Sequence, residues 1–327
     1  MTDLDGLIRF PVRHRVVGAD DVGMRLDRLL QREVPALPMS AWQRLLRTGQ
    51  VRVDGKRAKG GERLLLGQKI RIPPVRAAVD DPEGVGERSK PGDGWSATLA
   101  ERICYRDDHL LVLDKPEGIP VHGGSGQPYG LVDGVRRMME MRHDVMPELC
   151  HRLDKDTSGC LVFGLDACTV REMARVFRDG EVDKRYLLLV RGTPSPREGE
   201  IAIPLVRGMV RSGERMVAGG ADGKPAHTWY RTLANYGVAS LVEAKPNTGR
   251  THQLRVHFQL LGHPIAGDPK YGEREFNRHM RSTGLKRMFL HSSRISLTHP
   301  RTGQPITVEA PLDAGLQRLL ERLRMVK

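Results

Sequence analysis

The stretch Cys150-His151-Arg152-Leu153-Asp154-Lys155-Asp156-Thr157-Ser158-Gly159-Cys160-Leu161-Val162-Phe163 concentrates groups that could do chemistry. Two carboxylates, an imidazole and two hydroxyls stand between an apolar approach, Leu149 to Leu153, and an apolar run, Cys160 to Phe163. Such a turn can hold a carboxylate at a strand end, where a rigid sheet fixes its position. The residue types leave Asp154 four roles: nucleophile, general base, metal ligand or turn former. Asp, Thr, Ser and Gly are ordinary turn residues, so composition alone favours the last. Cys150 beside His151 suggests a thiol–imidazole pair, but adjacent strand residues point to opposite faces. The four cysteines, Cys104, Cys150, Cys160 and Cys168, form no Cys-x-x-Cys pair, so they read as reduced residues and not as a zinc site. No acid/His cluster has ligand spacing, and no metal is expected.

The elements that must position these groups follow from the rest of the chain. A length of 327 residues suggests two domains. A net charge of +13 and a pI near 9.9 favour a polyanionic partner, with nucleic acid first. No apolar run could cross a bilayer, and Met1 to Phe10 lacks the apolar core of a signal peptide. A cytoplasmic, monomeric protein is expected.

Residues 1–13 read as a loose arm and 14–75 as a first domain. Leu26, Leu29 and Leu30 share one helical face. Ser40-Ala41-Trp42-Gln43 reads as a capping box opening a second helix. Val51 to Val53 and Lys69 to Ile72 alternate like strands, and Asp54-Gly55 is a tight turn. This region holds thirteen Lys/Arg against six Asp/Glu, more than half of the chain's excess charge. Residues 76–98, rich in Gly, Pro and Asp, read as a flexible linker. The second domain, 99–327, opens with strand, turn and strand over Ile103 to Lys115. A helix capped by Asp166 should run from Ala167 to Asp179, with Val170, Met173, Ala174 and Phe177 inward. Strands follow at Lys184 to Val190 and Val238 to Pro246, then a helix at His252 to Leu261. Arg274, Arg278, Arg281, Lys286 and Arg287 suggest a mobile basic loop. A last helix, Leu312 to Met325, should bury Leu316, Leu319, Leu320 and Leu323.

His-Arg-Leu-Asp-Lys-Asp-Thr-Ser-Gly, residues 151–159, resembles the catalytic motif of the RluA/RluC-type pseudouridine synthases. Three more segments resemble the same family in order: Asp107 to Gly118, Lys184 to Val190, and Thr248 to His257 with His263 to Gly272. Residues 25–56 resemble the S4 RNA-binding domain. The loop His122 to Gly126 and the insertion Arg274 to Arg278 resemble the RluC branch.

The resemblance implies an α+β fold: a small S4-like αα-β module joined to a synthase domain with a mixed, mostly antiparallel sheet and flanking helices. It implies isomerisation of specific uridines to pseudouridine in structured RNA. Large-subunit ribosomal RNA or its assembly intermediate is favoured, and tRNA is the alternative. The reaction exchanges no electrons or groups, so no cofactor is expected. Asp154 would be the catalytic carboxylate, held ionised and oriented by Arg255, with Tyr186 stacked on the base. Arg152 would fill the gap left by the flipped uridine, and His151 and Arg250 would line the substrate site. Arg25, Arg44, Arg47, Arg52 and Lys56 would meet RNA phosphates. Two rival readings remain. A non-catalytic RNA-binding or ribosome-assembly protein would be expected to lose Asp154, Tyr186 or Arg255. An aspartate glycosidase needs two separated carboxylates, a geometry that Asp154 and Asp156 do not suggest.

Overall fold

The hydrophobic clusters fall in two separate stretches of the chain, units of residues 1–89 and 90–327. The computed structural model describes residues 7–18, 21–34, 37, 39–78, 98–123, 129–139, 147–210, 213–220 and 222–325.

The first unit contains strands β1 (Leu7–Phe10) and β2 (Arg13–Val16), helices α1 (Leu26–Glu33) and α2 (Met39–Arg47), then β3 (Arg52–Val53), β4 (Lys56–Arg57), β5 (Lys69–Ile72) and β6 (Val75–Ala78). Four strands form an antiparallel sheet in the order β2-β5-β3-β4. The β3–β4 turn has positive φ at both Asp54 and Gly55, as its Asp-Gly pair requires. Leu26, Leu29 and Leu30 of α1 pack with Trp42 and Leu46 of α2 over Val53, Ile70 and Ile72 of the sheet. Asp21 is buried, and bonds from Arg15 and Arg32 hold its carboxyl below the usual carboxylate range.

Three local expectations are corrected here. Leu7–Phe10 pairs with Val75–Ala78 and is a strand, not part of a loose arm. The same pairing carries strand structure three residues into the expected linker, whose residues 79–97 lie outside the described part. Helix α2 starts at Met39, so Ser40 lies within it and does not cap it.

The second unit is built on a ten-stranded sheet. Its elements are β7 (Ile103–Arg106), β8 (Leu110–Lys115), α3 (Leu131–Met139), β9 (Glu148–Leu149), β10 (Ser158–Gly164), α4 (Ala167–Asp179), β11 (Asp183–Arg191), β12 (Glu198–Ile201), β13 (Leu205–Val210), β14 (Gly213–Ala218), β15 (Thr228–Asn235), β16 (Ala239–Pro246), α5 (Gln253–Leu260), α6 (Arg274–Thr283), β17 (Leu290–Thr298), β18 (Pro305–Glu309) and α7 (Ala314–Met325). The strand order is β12-β15-β16-β11-β17-β10-β8-β7, with β18 on β17 and β9 on β10. Among the described pairings of this sheet only β10–β17 is parallel. The sheet is therefore mixed and mostly antiparallel. Strands β13 and β14 form a separate hairpin.

Strand β10 is buried along its whole length, because helices cover both faces. Leu161 and Phe163 enter the cluster with Leu131 and Val135 of α3 and Phe258 of α5. Cys160 and Val162 face the other way, toward Met173 and Val176 of α4. This alternation is the two-residue period of a strand.

Helix α4 has its expected bounds: Asp166 accepts from the Thr169 N–H and Gly180 closes the helix in the left-handed conformation. Its buried face is Thr169, Met173 and Val176, while Ala174 is exposed. The expected mobile basic loop is helix α6, anchored by buried Phe276, Asn277 and Met280. Helix α7 buries the four expected leucines, Leu316, Leu319, Leu320 and Leu323. No helix among the described residues is long and apolar enough to cross a membrane.

Candidate active site

Asp154 lies in the turn between β9 and β10. Its carbonyl accepts from Thr157 N–H at 3.1 Å, which closes the turn. Gly159 then enters β10 at φ 105°, where an added Cβ would lie 2.2 Å from the Ser292 carbonyl oxygen. Only glycine allows β10 and β17 to approach this closely. Below the turn, buried Lys115 donates from Nζ to the carbonyls of Lys155, at 2.9 Å, and Pro116, at 2.8 Å. Burial pushes this ammonium down to about 8, against the pull of Asp156 and Glu117.

Arg255, in the first turn of α5, is 4% exposed. It donates from Nε and Nη2 to the two oxygens of Asp268, each at 2.8 Å. Asp268 Oδ1 also accepts from the backbone N–H groups of Lys270 and Tyr271. Burial opposes both charges. The bonds between them outweigh it, so Arg255 is raised and Asp268 lowered. The remaining nitrogen, Nη1, lies 3.7 Å from Asp154 Oδ2. This is a charge contact, longer than a direct hydrogen bond.

His252 caps α5 in the left-handed conformation, at φ 55°. Its Nε2 is 4.0 Å from Asp154 Oδ2, and its Nδ1 is 2.8 Å from the Tyr271 hydroxyl. Met216 N–H donates to that hydroxyl. The hydroxyl proton can then go to Nδ1, which leaves the imidazole proton on Nε2, facing Asp154. Burial lowers the His252 pKa, more than the nearby Asp154 raises it. Tyr271 also lies against the Arg255 guanidinium, 5.1 Å from ring centre to Cζ.

Asp154, His252 and Arg255 line a cavity of about 500 Å³ that also includes Tyr186, Arg152, His151, Lys184 and Arg250. Tyr186 is buried on β11 beside a break in the β11–β17 register. Burial raises its phenol strongly, despite a hydrogen bond with Ser292. Arg152 is exposed at the cavity. The Nε of Arg250 is bound to the Pro225 carbonyl, and its backbone N–H to Gln253 Oε1. His151 presents only its ring. Its Nε2 accepts from Val162 N–H, the ring stacks on Phe177, and burial lowers its pKa to about 3. The Cys150 thiol, pushed up to about 12 by burial, makes no pair with it.

Sequence reasoning assigned no role to Asp268, His252, Tyr271 or Lys115. All four lie in the segments that carry the family resemblance, which was the available signal. In the first unit, Arg44, Arg47, Arg52 and Lys56 are exposed. Arg57 bridges the β3–β4 hairpin to the end of α2 through the Arg47 carbonyl. Arg25 differs from these four: its guanidinium forks onto Asp27, which neutralises it locally.

A cavity of about 500 Å³ lined by an aspartate and a buried arginine, on a mixed sheet, is the candidate site of an enzyme. Comparison with known proteins agrees. The RNA pseudouridylate synthase model matches residues 109–260, and the S4 domain model matches residues 24–70. The chain is 43% identical over 310 residues to the ribosomal large subunit pseudouridine synthase C of Escherichia coli, covering 94% of this chain and 95% of that one. It is 38% identical to the protein of that name from Pasteurella multocida, over 98% and 97% of the two chains. The solved structure of human RNA Pseudouridylate Synthase Domain Containing 4 matches with a TM-score of 0.60 and 28% identity, over 70% of this chain and 95% of that one. The chain belongs to the RNA pseudouridine synthase family, as an isomerase carrying an S4 RNA-binding domain.

Proposed function

We propose that this protein converts specific uridines of large-subunit ribosomal RNA to pseudouridine, with Asp154 as the catalytic carboxylate. The substrate follows the relatives, which are named for the ribosomal large subunit and align with nearly the whole chain. The observation that carries the site is the contact of Asp154 with an arginine whose other nitrogens are locked on buried Asp268.

The reaction breaks N1–C1′, turns the detached uracil and forms C5–C1′. The C5 proton is lost and N1 gains one, so substrate and product are isomers and no cofactor is required. Asp154 acts at the sugar or base as nucleophile or base. Arg255 holds its orientation, and the face of Tyr186 supports the uracil. Arg152 fills the stack vacated by the flipped nucleotide. Arg250 and the ring of His151 bound the pocket. Arg44, Arg47, Arg52 and Lys56 bring the S4 unit onto RNA phosphates. The protein acts as a cytoplasmic monomer.

Pseudouridine mapping on protein-free large-subunit RNA, assembly intermediates and tRNA tests the substrate. New sites in large-subunit RNA, free or partly assembled, support it. Sites in tRNA alone would replace it, and none in any RNA would favour an RNA-binding role.

A further inference from the structure

A second cavity, about 490 Å³, shares no lining residue with the first. Thr157 and Leu290 line the first, while their chain neighbours Ser158 and His291 line the second. Leu290 and His291 are successive residues of β17 and so point to opposite faces of the sheet, which sets the two cavities on opposite sides of β17.

The second cavity is basic. Arg102 is paired with Asp114 at 3.0 Å, and Arg287 with Asp313 at 2.7 Å. Lys286, Arg318 and Arg322, all exposed, have no ion pair among the described residues. Against these three cations stands Glu117, the one lining acid without an ion pair among the described residues. Helices α6 and α7 add exposed Arg278, Arg281 and Arg324, against exposed Glu275 and Glu321. Arg322 also donates to the Thr283 carbonyl, which fixes α7 against the end of α6. A concave, rigid cationic surface on an RNA enzyme matches a phosphodiester backbone.

We propose that this cavity and the α6–α7 face form a second RNA-backbone docking surface, separate from the uridine pocket. The proposal rests on RNA being the substrate. The surface holds a part of the RNA remote from the reacting uridine, so it sets affinity and not the chemical step.

The test is RNA affinity as a function of salt for Lys286→Glu/Arg318→Glu, beside Arg197→Glu/Arg301→Glu. The second pair makes the same change in net charge at exposed positions elsewhere in the unit. For protein-free large-subunit RNA, the first double variant should bind about ten-fold more weakly, with a salt slope shallower by about 2. Turnover at saturating RNA, and of a short hairpin carrying one target uridine, should match wild type. Equal affinity and slope for the two double variants would overturn the proposal. Pseudouridine formed by wild type in the same samples is a separate readout, so the docking surface and the uridine chemistry can each fail alone.

Discussion

Arg255 spends two nitrogens on Asp268, both at 2.8 Å, and keeps its third 3.7 Å from Asp154. The fork fixes the guanidinium plane, so Asp268 determines where the remaining positive charge meets Asp154. Asp268→Asn should lower kcat by about 10²-fold, since misplacement on the order of 1 Å has that effect. It should also destabilise the fold by about 3 kcal/mol, because a buried charge loses its partner. Arg255→Lys should reproduce the loss in kcat, as an ammonium cannot bond both oxygens in one plane. Single-turnover rates with unchanged RNA affinity would check this; normal rates for either variant would refute it.

Tyr271 should act through His252. Tyr271→Phe removes the bond that keeps the imidazole proton on Nε2, and it leaves the Met216 N–H without that acceptor. One such bond contributes about 1 kcal/mol, so kcat should fall about five-fold while KM holds. A loss confined to KM would assign Tyr271 to RNA binding instead.

His151 makes stability depend on pH. Its folded pKa, about 3, lies below the unfolded value of 6.5, so the unfolded chain binds the proton more readily. The contribution is complete above pH 6.5 and is lost progressively as pH falls toward 3. Over that window the loss is on the order of a few kcal/mol. Denaturant midpoints from pH 7 to 4 should fall more steeply for wild type than for His151→Gln. Parallel profiles would show that the ring is not held neutral.

Gly159→Ala should fail where the fold and the site meet. Its Cβ would lie 2.2 Å from backbone oxygen at a φ of 105°. The Ser158–Gly159 pairing with His291–Ser292 would have to open, and the Asp154 turn would move with it. Reduced thermal stability together with lost activity is expected; a fully active, equally stable variant would show that the strands can part freely.

Sequence patterns made different parts of this molecule legible for different reasons. Helices α4 and α7 were readable from local signals: Asp166, Gly180 and a leucine stripe each act within one or two turns. Asp154 stood out through nine consecutive residues. The Arg255–Asp268 fork was not readable, because its partners are thirteen residues apart and meet only when the 263–272 loop folds back. The left-handed His252 likewise has no signature in residue type. Helix α6 was hidden by its charges: the buried pair Phe276 and Met280 sits one turn apart among three arginines. Ser40 misled because its spacing fits a cap, while the helix had already begun at Met39.

The most direct measurement is tritium release from RNA labelled at uridine C5, which loses its hydrogen only when C5 bonds to C1′. Wild type and Asp154→Asn should be compared under single-turnover conditions on large-subunit ribosomal RNA. Expected is stoichiometric release by wild type and none by Asp154→Asn, with RNA affinities within about two-fold of each other, since no phosphate contact is lost. Release by Asp154→Asn at the wild-type rate would contradict the assignment of Asp154 as the catalytic carboxylate.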